Sequence, residues 1–352
     1  MSFLRSLVGS VRSVRHAPLL AEGLTPDDDV LLDAPDGRLG PALVAAAHDD
    51  PEPAAKLLAT TRDAAEWEDR DRYAGRLAVF ARHRGEWLER WREAAPRDPG
   101  ALLVAAQLAV DRAWRSPARA ERLRELDPLV RRLAEESGPD PVPWRLALDH
   151  ARGAHAGDAV FARLWEQALL RSPHHHGCHV AALAYLSARW YGSHRAAFDF
   201  AEQAADDAAP GSLVRALPVR AAYDLLRPGA GPQAVSQAGP AADGARIDRA
   251  ADRGRALSAA FAAGDPWPAE VRNLLAYVLV ERGRWAAALE EFRRTGPYAV
   301  SFPWGSGGGD PLRRFLATRD RTRVELARRT PLWGRPGGAA RGISGRSGPG
   351  GH

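Results

Sequence analysis

WREAAPRDP, Trp91 to Pro99, and WEQALLRSP, Trp165 to Pro173, are one short pattern written twice, 74 residues apart. Each sets a tryptophan eight residues before a proline, with alanine at the fourth position (Ala94, Ala168) and arginine two before the proline (Arg97, Arg171). Glu166, Gln167 and Ala168 recur as Glu202, Gln203 and Ala204, offset by 36, with Gly157 and Gly192 preceding them at near-equal distance. A spacing of 74 is two units of 37, and units of this size built from two helices are what a helical solenoid requires. Each unit has an apolar face it cannot cover alone and hides it on its neighbour.

Proline and glycine punctuate the chain into helical segments. The pattern predicts helices at 40–47, 51–59, 62–83, 86–95, 100–115, 117–137, 142–155, 158–171, 173–190, 193–209, 213–226, 242–263, 267–282, 284–294 and 311–328. Ile247 and Ile343 are the only isoleucines, whereas alanine, leucine, arginine and glutamate abound, so strands should be rare or absent. Gly157 before Asp158 and Gly192 before Ser193 read as a left-handed helix end followed by the next helix's cap. Ser172 and Pro173 read as cap and first residue of a helix.

The organisation expected is a flexible segment at 1–36, a helical repeat block at 37–226, a flexible insertion at 227–241 (RPGAGPQAVSQAGPA spans it), C-terminal helices with a cap at 242–330, and a disordered glycine-rich tail at 331–352. In the capping helix, Leu312, Phe315, Leu316, Val324 and Leu326 should face inward, with Arg313, Arg314, Arg321 and Arg328 in water.

The 352 residues are 45% hydrophobic, enough for an extended core, and the sequence pI is about 9.8. That basicity sits at the ends. Residues 313–352 carry a net +8 and residues 1–16 a net +3, which leaves 17–310 at −6 of the chain's +5. An acidic body argues against a nucleic-acid-binding surface, although the arginine-rich arm from Arg313 to Arg346 could meet phosphate without a dedicated fold. Lys56 is the sole lysine, so the positive charge is nearly all arginine, a coding bias of high-GC bacteria. One cysteine, Cys178, permits no intrachain disulfide and fits a reducing cytoplasm. No apolar run is long enough for a transmembrane segment. Residues 1–16 could lie on a membrane surface through Phe3, Leu4, Leu7, Val8 and Val11, or could be a loose terminus.

The stretch EVRNLLAYVLVERGRWAAALEEFRRTGP, Glu270 to Pro297, resembles a tetratricopeptide repeat. Ala276, Gly283, Trp285, Ala288 and Phe292 fall at that family's spacing, with small residues where paired helices approach and aromatics where units meet. Thr295 replaces the usual alanine and Pro297 comes early. The wider region from Trp87 to Leu225 is similar to an uncharacterised actinobacterial family of tetratricopeptide-like proteins (DUF4034-like), carried by DPGALLVAAQLAVDRAW (98–114), LWEQALLRSPHHHGCHVAALAYLSARWYGS (164–193) and FAEQAADDAAPGS (200–212). This resemblance implies an all-α, tetratricopeptide-like solenoid of antiparallel helix pairs and no activity.

Chemistry-bearing motifs are few. In SPHHHGCH (172–179), His175 and His179 are weak metal candidates at i,i+4, as are His174 and Cys178, but third and fourth ligands are lacking nearby. No serine has a nucleophile elbow, Cys178 reads as a buried thiol, and GSGGGD (305–310) lacks the features of a phosphate loop. No catalytic residue and no cofactor is therefore assigned. The tryptophans read as inter-helix packing, with Trp304 in a loop as either a cap or an exposed aromatic. The expectation is a non-catalytic scaffold that binds a peptide or partner protein in a groove. Repeat spacing nominates Glu270, Asn273, Tyr277 and Glu281 from one helix, and His175, His179, Leu186 and Arg189 from another.

Overall fold

The computed structural model describes residues 20–227, 240–306 and 308–329. The expectations for 1–16, for most of 227–241 and for 331–352 lie outside the described residues. Helix dominates: α1 (Leu39–Ala47), α2 (Glu52–Asp63), α3 (Trp67–His83), α4 (Glu86–Ala94), α5 (Pro99–Arg115), α6 (Arg119–Glu125), α7 (Asp127–Glu135), α8 (Val142–Ala154) and α9 (Asp158–Arg171) make the first part. There follow α10 (His176–Tyr185), α11 (His194–Asp207), α12 (Leu217–Leu226), α13 (Pro240–Ala259), α14 (Ala269–Glu281), α15 (Trp285–Thr295), the short α16 (Ser301–Trp304) and α17 (Pro311–Arg329). Among the described residues the only strands are β1 (Leu31–Leu32) and β2 (Tyr298–Ala299), paired in parallel. The chain is all-α in class, as its alanine- and leucine-rich composition predicts.

Local chemistry explains where the helices depart from expectation. The single helix foreseen at 117–137 is two, because Pro128 has no N–H with which to continue the ladder of α6. The helix foreseen from 173 starts at His176. Pro173 lies in a turn, Ser172 caps nothing, and the N-cap is His175, whose Nδ1 accepts the Cys178 N–H at 3.2 Å. At the end of α8 the left-handed residue is His155 (φ 59°) rather than Gly157 alone, and Asp158 is a helical residue whose carboxylate meets the Tyr185 hydroxyl. Ser193 does cap α11, accepting from the Ala196 N–H.

Among the described residues the core forms three apolar clusters. One gathers α1 to α5 around Trp87, Leu77 and Leu103, and a second joins α5 to α10 around Leu146 and Leu148. The third runs from Leu183 to Phe315 and takes in Tyr223 of α12 with Ile247 of α13 and Leu275 of α14. One core thus lies on both sides of 227–241. Within it α14 and α15 pack on each other through the fully buried Ala276 and Ala288, joined by a turn at Gly283 (φ 66°).

Residues 22–33 fasten the beginning of this helical run to its end, so the later part of the segment expected to be flexible is bonded structure. The Leu31 N–H donates to Pro297 O and the Asp33 N–H to Ala299 O, both at 2.8 Å. Arg319 of α17 donates to Thr25 O at 2.9 Å and pairs with Asp27. The Asp33 carboxylate accepts from the Ser301 N–H at 3.0 Å and lies 3.3 Å from Arg76 of α3. In α17, Phe315, Arg319, Thr322 and Ala327 are buried, whereas Val324, expected inward, is 37% exposed. Trp304 is buried between Phe292 and Phe315 and donates to Asn273 Oδ1 at 2.8 Å, which makes it part of the cap.

Candidate functional site

The closure brings three distant stretches around one cleft of about 430 Å³. Glu68, Asp71, Arg72, Gly75, Arg76 and Val79 recur at three- and four-residue steps and so form one stripe of α3. Opposite stand Gln107, Arg145 and the first turn of α10, with His176, Gly177 and Val180. Leu213, Trp267, Glu270 and Val271 complete the wall.

Arg145 organises the polar floor. Its Nε donates to Asp71 Oδ1 at 2.9 Å, one terminal nitrogen to Asp149 at 3.2 Å and the other to Gln107 Oε1 at 2.6 Å. Burial alone would raise the Asp149 carboxyl, but Arg152 and Arg145 outweigh it and hold the group below its ordinary range. A buried guanidinium fixed in this way is a rigid element, because moving it would orphan a charge. Gly177 lets α10 come this close: a Cβ there would lie 2.1 Å from Asp71 Oδ2.

Glu68 is differently placed. It accepts the His176 N–H at 2.7 Å, and burial raises its carboxyl, with the attraction of His175 and that hydrogen bond opposing the shift. His175 is itself buried. Its Nδ1 accepts the Cys178 N–H, and its Nε2 faces Trp67 O at 3.4 Å and the Glu68 and Asp71 carboxylates at 3.8 Å. His176 lines the cleft, and burial pushes its ring down to about 4.

Of the eight groove nominees only Glu270 lines this cleft; it is exposed and lies 2.5 Å from Arg220, while Leu186 is half-buried. Three nominees are buried and offer a partner nothing. Asn273 donates to Ala269 O and Tyr298 O while its Oδ1 accepts from Trp304 and Val300. His175 is the cap described above, and His179 lies 3.0 Å from His175 O with its ring edge-on to Trp165. The repeat spacing failed here because it assumed one free helical face, and helices pack on both sides of α10 and α14. Tyr277 is half-buried against Tyr223 and Trp304, and burial lifts its phenol to about 12. Glu281 and Arg189 are exposed, the latter in the turn after α10.

As weak metal candidates, His175 and His179 are both buried, each with its ring Nδ1 engaged by backbone within the first turn. Among the described residues no group of three or more His, Cys, Asp or Glu is placed to hold a metal ion. Cys178 Sγ lies 3.3 Å from His175 Nδ1, but the thiol is fully buried and burial drives it well above its ordinary range, so it stays protonated and out of reach. No helix among the described residues is long and apolar enough to cross a membrane. The wall of the cleft was missed in the sequence although EWEDRDR (66–72) is its densest charge run. A helical charge run ordinarily faces water; this one becomes a site only because α8, α10 and the start of α14 are folded over it.

Comparison with family models, with curated proteins and with solved structures gives no match, so the functional reading rests on this geometry.

Proposed function

We propose that this chain is a non-catalytic interaction scaffold built of tetratricopeptide-like helix pairs, akin to the actinobacterial proteins it resembles, and that a peptide or partner protein enters the cleft beside α3. The cytoplasm is the compartment that suits its lone buried thiol. The α14–α15 pair, with small residues between the helices and Trp285 and Phe292 at its flank, supports the repeat reading.

The observation that carries the proposal is the cleft itself. Its walls come from residues 68–79, 145–180 and 213–271, and its floor is held by ion pairs, so it is a preformed concavity rather than a gap between mobile side chains. Preformed walls lower the ordering cost of binding. The arginines of α17 are poorer candidates for a nucleic-acid arm, because Arg319 is buried on Asp27 and Arg314 donates to Trp304 O at 2.5 Å.

A photo-crosslinking residue placed at Val79 or Val180, on the cleft wall, should trap one partner in the native host, whereas the same residue at exposed Val324 should not. Equal trapping at all three positions, or none at the cleft, contradicts the assignment.

A further inference from the structure

The arginines of the cleft are already matched. Arg145 lies against Asp71 and Asp149, Arg72 against Asp36 and Asp69, and Arg76 against Asp33. Glu68 is the exception. Among the described residues no arginine or lysine lies within 4 Å of it, and the nearest basic group is the His175 ring, with Nε2 3.8 Å away. One Glu68 oxygen is occupied by the His176 N–H, while the side chain remains 34% exposed on the cleft side. The same cleft is lined by the indole of Trp267, over which the Arg72 guanidinium lies at 4.9 Å, by Val180 and Val271, and by Val79 about three helical turns from Glu68. A partly exposed carboxylate without an arginine or lysine partner, in a cleft that also offers apolar walls and an aromatic ring, is the chemistry that recognises a cation on an apolar stem.

We propose that the cleft binds an organic cation, with Glu68 as its counter-ion and Val180, Val271 and Trp267 covering its stem; within the scaffold reading, on which this rests, that cation is an arginine or lysine side chain of the partner. The neighbouring guanidiniums do not repel it strongly, since each is neutralised by a carboxylate at 2.6 to 3.3 Å. An anion, by contrast, would meet Glu68, and among the described residues lining the cleft each arginine already has a carboxylate partner.

The test is calorimetric titration of the full chain with agmatine and with the peptide Gly-Arg-Gly, using 1-pentanol and pentanoate as uncharged and anionic controls. Saturable binding of agmatine or of the peptide, weakened about tenfold or more in Glu68→Gln and unchanged in Glu281→Gln, is the expected result. Agmatine without the peptide would make the natural ligand a free amine, and both together a side chain. An unchanged thermal midpoint in Glu68→Gln ensures that the loss is not unfolding. No saturable binding of either cation, pentanoate binding as tightly, or equal affinity in Glu68→Gln overturns the inference. If crosslinking at Val79 and Val180 still traps a partner, the cation reading alone has failed; if that fails as well, so has the scaffold.

Discussion

Arg70 shows what a single residue contributes beneath the cleft. Its Nε donates to Asp140 at 2.6 Å and a terminal nitrogen to Leu58 O at 2.7 Å, with both members of the ion pair almost wholly buried. Taking one partner away leaves a charge in a place without water, which costs about 3–5 kcal/mol, whereas removing both charges together costs much less. Arg70→Met should therefore destabilise the chain by that amount in urea unfolding, and Arg70→Met with Asp140→Asn should recover most of it. Asparagine keeps an oxygen for the Val142 N–H, which Asp140 now caps at 2.9 Å. A double variant as unstable as the single one would show that the pair holds α3 to α8 by more than charge. His176 gives a second expectation. Its ring is held neutral down to about pH 4 when folded and takes a proton near 6.5 when unfolded, so its effect is absent above pH 6.5. Stability is lost as pH falls from 6.5 towards 4. The raised carboxyls of Glu68 and Glu291 act in the opposite sense, because they favour the folded chain at the acid end. The His176 share is isolated by subtraction: His176→Gln should lose less thermal midpoint between pH 6.5 and 4 than the parent, and parallel curves would refute the assignment.

At the scale of the element, the two tryptophan–proline echoes are alike in sequence and unlike in structure. Asp98 caps α5, accepting from the Gly100 and Ala101 N–H groups at 2.8 and 2.9 Å, and Pro99 takes the first helical position. At the matching place the Ser172 hydroxyl caps no helix, and the cap has moved to His175. Asp98→Ala should cost about 1 kcal/mol, the usual loss of an N-cap, while Ser172→Ala should be close to neutral. Comparable losses in chemical denaturation would mean that Ser172 does cap a helix in solution. The contrast also marks how far the sequence could be read. Helix existence followed from proline and glycine punctuation and from the lack of isoleucine, because these act locally. The start of α10 did not, since three consecutive histidines offer several equivalent caps and only the close approach of Asp71 to Gly177 selects one. Val324 was misplaced for a related reason. A helical apolar stripe names a face, but α17 turns its Arg319 inward to reach Asp27, and this rotates Val324 into water.

For the molecule as a whole, the decisive feature is the link that joins residues 25–33 to residues 297–319 across the described helical run, and no periodicity announces it. Repeats reveal nearest-neighbour stacking, whereas the link from β1 to β2 and the shared contacts of Asp33 join residues some 270 positions apart. A run of helices with free ends behaves as a one-dimensional array, in which damage to the last unit is felt mainly by its neighbour. A closed run should behave otherwise. Cutting the chain after Gly308 removes α17, which uncovers Phe292 and Trp304 and deprives residues 25–27 of Arg319. The Asp27 end of the strap then has one anchor fewer, and strain on Asp33 passes to Arg76 in α3 at the cleft. Hydrogen exchange can follow this amide by amide, since local opening is read as lost protection. In the cut chain, protection should fall in α15 and also at the Leu31 and Asp33 amides and in the first half of α3. The thermal midpoint should drop by roughly 5 °C or more, the shift expected for a couple of kcal/mol in a chain of this size. Loss confined to α15, with the Leu31 and Asp33 amides as protected as before, would show that the ends are coupled too weakly to close the array, and the cleft would then have to owe its shape to the Arg145 ion pairs alone.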